Sequence, residues 1–300
     1  MGYNDTAEKL NLVKPKVVPF FDEKTNTFSY VVSDPTSSAC AIIDSVLNFD
    51  MDSGDVDYRG AKDIIRYVEE KKLDVEWIIE THVHADHLSA APYLKDFLGG
   101  KIAIGEKVSI VQETFARIFN AGPEFNRDGS QFDHLFRDGE HYNIGNLEAK
   151  AIHTPGHTPA CMTHVIGNAA FVGDTLFMPD AGTARADFPG GDAATLYQSI
   201  KKILDLPGRT KIYMCHDYGA EGRELEYQTS VKEELESNIH VNAKVGEAEF
   251  VQMREARDKT LAVPHLILPS LQVNMRAGHL PDPESNGRIY LKIPVDAFRG

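Results

Sequence analysis

The run Thr81-His82-Val83-His84-Ala85-Asp86-His87 constrains this chain more than any other feature. Four side chains able to hold a metal fall within six residues. They directly follow the apolar stretch 75–80, which reads as a short buried strand. Side chains alternate along an extended backbone, so His82 and His84 leave the strand end on one side. A tightening loop can then turn Asp86 and His87 toward the same point. A single histidine at a strand end is ordinarily a hydrogen-bonded polar residue. Three histidines and an aspartate packed this closely point to a metal, since imidazole is the commonest protein ligand.

Three further strand ends carry matching chemistry. In Thr154-Pro155-Gly156-His157-Thr158 the Pro-Gly pair sets a sharp loop that aims His157 away from its strand. Phe171-Val172-Gly173-Asp174-Thr175 puts Asp174 at the end of a hairpin strand, and Tyr213-Met214-Cys215-His216-Asp217-Tyr218 does the same for His216. Each alone reads as a turn, a cap or a polar strand end. The four together, in this order and spacing, form a specific pattern.

The rest of the chain supplies the scaffold. Residues 16–46 read as a β meander. Ala61, Ile64, Ile65 and Val68 fall on one face of a helix. Residues 88–98 read as a helix stopped by Gly99-Gly100, 101–104 as a strand and 108–119 as a helix. Residues 161–166 and 169–172 form a hairpin about Gly167-Asn168. Residues 193–204 form a helix capped by Asp192, and 211–215 a strand. Two helices are expected near 224–239 and 247–259. Residues 120–139, rich in Gly, Asp and Asn, read as an insertion or lid, and 263–300 as a Pro-rich strap. Alternating strands and helices give an α/β class, read as one domain over 1–300. Chemistry at strand ends is where ligands bind in such folds.

Composition narrows the partners. The chain has 300 residues with 31 Lys+Arg against 45 Asp+Glu, a formal net charge of -14. Nucleic acid would need a basic stripe, and none is present. Cys40, Cys161 and Cys215 are too few and too scattered for a disulfide framework. The first 14 residues hold no apolar run of the kind a secretory signal needs, and no stretch approaches a membrane span. The expectation is a cytoplasmic protein with no membrane or nucleic-acid partner. A homo-oligomer is left open.

His82-Val83-His84-Ala85-Asp86-His87, then His157, Asp174 and His216, resemble the metal motifs of the metallo-β-lactamase superfamily. The likeness spans at least residues 16–220 and implies a four-layer αββα sandwich. Glu80-Thr81-His82 through Ala91, Ala184-Arg185-Ala186-Asp187-Phe188 and Cys215-His216-Asp217-Tyr218 resemble persulfide dioxygenases, also called sulfur dioxygenases. The 120–139 segment and the tail look like the longer bacterial branch of that family.

This resemblance implies one Fe(II) per chain, held by His82, His157 and Asp174, with His84, Asp86, His87 and His216 orienting those ligands and bound water. It implies glutathione persulfide and O₂ as substrates, with water, giving sulfite and glutathione. Two histidines and a carboxylate leave adjacent positions open on Fe(II). Arg185 and Tyr218 match positions that contact substrate in the family, although Arg185 also reads as the partner of Asp187. A substrate-binding arginine of the shorter members falls near His240 here, with Arg223 as the alternative. All seven ligands of a dinuclear site are present, so two Zn(II) in a hydroxyacylglutathione hydrolase is the competing expectation. A non-enzymatic binder would be expected to lose ligands. A diiron-flavin reductase is disfavoured by length and by His84, where a carboxylate is expected.

Overall fold

In the computed structural model residues 14–296 are described. Three antiparallel strands open it, β1 (Lys16–Asp22), β2 (Thr27–Ser33) and β3 (Ala39–Ile43), in keeping with the meander reading. A short side ladder, β4 (Val46–Phe49) with β5 (Val56–Asp57), leads into α1 (Arg59–Lys71). Then come β6 (Asp74–Ile79), β7 (Leu88–Ser89), α2 (Ala91–Leu98), β8 (Lys101–Gly105), α3 (Val108–Ile118) and β9 (His134–Phe136). The first sheet runs β1-β2-β3-β6-β8-β9, parallel from β3 onward.

The second sheet keeps chain order, with β10 (His141–Ile144), β11 (Leu147–His153), β12 (Met162–Ile166), β13 (Ala169–Phe171), β14 (Lys211–Tyr213) and β15 (Gln228–Ser230). Helix α4 (Ala193–Leu204) crosses between the parallel pair β13 and β14. Three helices follow, α5 (Val231–Ser237), α6 (Glu247–Asp258) and α7 (Ile267–Asn274).

Strand alternation dictates the layers. Phe28, Tyr30 and Val32 of β2 face Phe171 and Tyr213 of the second sheet, whereas Val31 faces the other way, into the core that holds α1 residues Ala61, Ile64, Ile65 and Val68. Ile43 and Ile42 of β3 divide likewise. On the far side, Ala170 and Ile212 pack against Leu196, Ile200 and Ile203 of α4 and Phe250 of α6. Helix, sheet, sheet, helix is the four-layer αββα sandwich, each sheet burying both faces.

Several boundaries differ from the sequence reading. Leu88 and Ser89 are not helical: they pair with Val46 and Leu47 as β7, and Pro92 sits in the first turn of α2. The helix expected from 224 begins at Val231, because Gln228–Ser230 is taken up as β15 and Ser230 caps the helix by accepting from the Glu233 amide. The segment 120–139 packs onto the first core. Phe125 and Phe132 are buried in the first core, the segment ends in edge strand β9, and none of its residues lines the cavity over the site described below. The strap contains α7, in which Pro269 falls within the first turn, where its missing amide hydrogen costs nothing. No helix among the described residues is long and apolar enough to cross a membrane. The segment read as lacking a secretory signal lies, apart from Lys14, outside the described residues.

Candidate metal centre

Topology brings the ligand loops to one edge. Strands β11, β13 and β14 run in one direction, as do β3 and β6, so their carboxyl ends collect together. Asp44 follows β3, the His82–His87 loop follows β6, His157 follows β11, Asp174 follows β13 and His216 follows β14. The Phe28 amide donates to the Cys215 carbonyl at 2.8 Å and ties the two sheets at this edge. Two glycines let the loops approach. Gly156 has φ 131°, and a Cβ there would lie 2.3 Å from the Leu196 backbone; at Gly173, φ 53°, it would meet Thr81 Oγ1 at 2.5 Å.

His82, His84, His87, His157, Asp174 and His216 are all buried, and Asp86 is half-buried. Nε2 of His82 and of His157 stand 3.7 and 3.6 Å from Asp174 Oδ2. Nε2 of His216 lies 3.1 Å from Asp86 Oδ2 and 3.3 Å from Asp174 Oδ1. Seven of the donors form two groups that share no member, His82-His157-Asp174 and His84-Asp86-His87-His216, each with its ligand atoms within 4.8 Å of one another.

The outer atoms of these ligands are tied and the inner ones are free. His82 Nδ1 meets Thr81 Oγ1 at 3.1 Å, and His157 Nδ1 donates to the Arg185 carbonyl at 2.8 Å. His216 Nδ1 donates to the Asn26 carbonyl at 3.2 Å, and His87 Nδ1 meets Thr27 Oγ1 at 3.4 Å. His84 Nε2 sits 3.0 Å from Asp44 Oδ1 and 3.2 Å from Glu80 Oε2. By contrast His82 Nε2, His84 Nδ1, His87 Nε2, His216 Nε2 and Asp174 Oδ1 are buried without a hydrogen bond. Buried polar atoms without partners are expensive, and five of them within the two donor groups fit a metal.

The electrostatics agree. Burial, reinforced by the charge of His84, holds His82 well below its ordinary pKa, as a neutral ligand must be. Burial would raise Asp174 and Asp86, but the surrounding histidines together outweigh it and pull them down, His216, His82 and His157 at Asp174 and His216 and His87 at Asp86. Burial likewise disfavours charge on His216, yet Asp86 and Asp174 push it up to about 9. The charges are mutually supporting even before a cation enters.

Over this cluster lies a cavity of about 590 Å³. Asp86, His157 and Asp174 form its floor, and Phe177, Phe188 and Tyr218 its inner wall.

The sequence and fold place these observations in a known context. The family model of the metallo-beta-lactamase superfamily matches residues 23–216. This chain belongs to that superfamily. A probable metallo-hydrolase of Burkholderia pseudomallei is 56% identical over 93% of this chain and 98% of its own length. The mitochondrial persulfide dioxygenase ETHE1 of Bos taurus is 30% identical over 86% of this chain and 87% of its own. The crystal structure of ETHE1 from Myxococcus xanthus superposes with a TM-score of 0.70 at 26% identity, covering 88% of this chain and all of that one.

Within this superfamily member, the seven residues fall into the two groups above, joined by the His216–Asp174 contact at 3.3 Å. The expected substrate contacts fare differently. Arg185 lines the cavity, but its guanidinium is engaged by Asp187 at 2.6 and 2.8 Å and by the Ala262 carbonyl at 2.7 Å. Tyr218 stands at the cavity, 57% exposed, with its ring parallel to that of His216. Arg223 is spent on Asp180 and Asp217 and does not line the cavity. His240 is buried, its Nδ1 accepting from the Thr183 amide at 3.0 Å, and neither it nor Arg223 lines the cavity. Cys161 and Cys215 are buried and free, and burial pushes the Cys161 thiol up to about 12.

Sequence reasoning missed the residues that hold the ligands. Asp44 accepts from the Thr81 amide and hydroxyl at 2.7 and 2.9 Å as well as facing His84. Asn274 of α7 donates to the carbonyls of His84 and His87 and accepts from the Ser89 amide. Arg254 and Asp258 of α6 form a buried ion pair; Asp258 also accepts from the Ala186 amide, and Arg254 donates to the Thr183 carbonyl. An acidic residue straight after the apolar strand 39–43 was a signal for Asp44. Asn274 and Asp258 lie far along the chain and gave none.

Proposed function

We propose that this protein is a persulfide dioxygenase, converting glutathione persulfide, O₂ and water to glutathione and sulfite. The observation that carries the reading is which donors meet the cavity. Two of the three members of the His82-His157-Asp174 group line it, whereas Asp86 alone does so among the other four. A ferrous ion held by that triad would supply redox chemistry with O₂ at neighbouring open positions.

The chain's own groups do the rest. The Arg185 carbonyl fixes His157 as the tautomer whose Nε2 carries the lone pair. His216, itself facing Asp86, meets Asp174 at Oδ1, whereas His82 and His157 face Oδ2. Phe177, Phe188 and Tyr218 give the sulfur end of a substrate an apolar, water-poor approach.

A second reading, a dinuclear zinc hydrolase acting on a glutathione thioester, is favoured by the buried unpaired nitrogens of His84, His87 and His216. The metal content of protein purified without added metal, paired with an oxygen electrode, separates the two. About one iron per chain with persulfide-dependent O₂ uptake is expected. Two zincs with thioester cleavage and no O₂ uptake would overturn the dioxygenase in favour of the hydrolase. Protein with neither bound metal nor turnover would leave a binding role.

A further inference from the structure

The cavity is richer in cations than a chain of net charge -14 leads one to expect, with Lys24, Arg185, Arg254 and Arg257 along its lining. Their charges are not equally available. Arg185 is matched by Asp187, and Arg254, itself buried, by Asp258. The one rim acid, Asp180, is matched by Arg223, which lies outside the cavity. Lys24 also borders a neighbouring depression lined by Asp22, Asp50, Asp52 and Asp86, so its charge faces acids of its own. Arg257 is exposed on α6 and makes no ion pair among the described residues. Its charge is still felt by His240, under the 182–183 turn, which it helps hold below the ordinary histidine range after burial and Arg254. Beside it the rim is apolar and open: Ile239 is 57% exposed and Leu261 39%.

We propose that Arg257 is the carboxylate-binding residue of this cavity, and that its ligand is an elongated peptide thiol whose sulfur end reaches the His157–Asp174 floor while a terminal carboxylate meets the guanidinium. This rests on the glutathionyl substrate of the proposed function and assigns the anionic contact to Arg257 in place of Arg185. A guanidinium offers a carboxylate two parallel N–H donors, which a lysine does not. Ile239 and Leu261 cover the stem between the two ends.

S-methylglutathione, which neither persulfide oxidation nor thioester hydrolysis consumes, tests this by calorimetric binding to the metal-loaded protein. Arg257→Met should weaken binding about tenfold or more, and Arg257→Lys should recover part of the loss. The diethyl ester of the same ligand should bind the unsubstituted protein weakly and lose nothing further in Arg257→Met. Lys24→Met should leave the affinity within about twofold. Equal affinities for the unsubstituted protein and Arg257→Met, ester binding as tight as the diacid, or no binding at all would each overturn the assignment. Oxygen uptake with glutathione persulfide is measured separately. Its absence alongside a tenfold binding loss would refute the dioxygenase and leave the carboxylate contact standing.

Discussion

The loop that carries His82 to His87 and the wall that carries Arg185 both reach the metal centre, yet they are fixed by different chemistry. The far end of the first, from His84 to Ser89, is held by a neutral clamp. Asn274 supplies two donors and an acceptor to backbone groups of His84, His87 and Ser89, and it is buried. The second is held by charge. Asp258 and Arg254 grip residues 183 and 186, Arg185 and Asp187 lock within the wall, and Asn238 donates to the Gly182 carbonyl. The difference follows from the surroundings. Asp44, Glu80 and Asp86 already crowd the first loop, where another carboxylate would be repelled. The wall has no metal ligand of its own and meets the centre at His157, through the Arg185 carbonyl and the Phe188 ring, whose centroid lies 5.4 Å from the imidazole. It can carry charged supports without competing for the cation.

The largest test divides the ligands themselves. His157→Ala should remove the metal and reduce persulfide-dependent O₂ uptake by about a thousandfold or more. On the single-ion reading His87→Ala should still retain about one ion per chain. Metal analysis of both variants checks this: iron retained with full activity in His157→Ala would remove that residue from the site.

Next in size is the charged clamp. Asp258→Asn leaves the Arg254 guanidinium, 1% exposed, with no counter-charge and should cost roughly 3–5 kcal/mol in urea unfolding of the metal-free protein. Replacing the pair together, Arg254→Met with Asp258→Leu, should restore most of that stability, because two matched buried charges are exchanged for apolar groups. The Ala186 amide still loses its acceptor in the double variant, so metal affinity should stay reduced about tenfold. Affinity equal to that of the unsubstituted protein would show that the wall does not position His157.

The neutral clamp should give a smaller, uncharged effect. Asn274→Ala deletes three hydrogen bonds and should cost about 3 kcal/mol, at roughly 1 kcal/mol each, with the same loss at low and high salt. A strongly salt-dependent loss would contradict the contrast drawn between the two loops.

The contrast also marks how far sequence carries. The floor was legible because its ligands are local to strand ends: His82, His84, Asp86 and His87 within one loop, His157 behind Pro155-Gly156, Asp174 and His216 behind apolar strands. The α/β class followed from alternation, and the buried faces of α1 and α4 from their spacing. What was not legible depends on pairing across long separations. Leu88 looked helical until Leu47 claimed it in β7, and residues 228–230 until β14 claimed them. Arg185 matched a substrate-binding pattern, but its charge is decided by Asp187 and by Ala262, 77 positions away. The clamps come from α6 and α7, whose place over the site no local pattern encodes.

The smallest predicted effect is a pH dependence confined to the wall. Asn238 bridges the Gly182 carbonyl and Glu234 Oε2, and burial pushes the Glu234 carboxyl up to about 8. Its pKa is higher folded than unfolded, so between about 4.5 and 8 the folded state binds more protons than the unfolded one. Stability should therefore fall as pH rises through that window and level off above it. The Glu234 contribution to the drop between pH 5 and 7 should be about 2 kcal/mol. Glu234→Gln keeps an acceptor for Asn238 and cannot ionise, so its unfolding free energy should lose this slope while the slope survives in Asn274→Ala. Urea unfolding of metal-free protein at pH 5, 6 and 7 is the measurement, and an unchanged slope in Glu234→Gln would place the titrating group elsewhere.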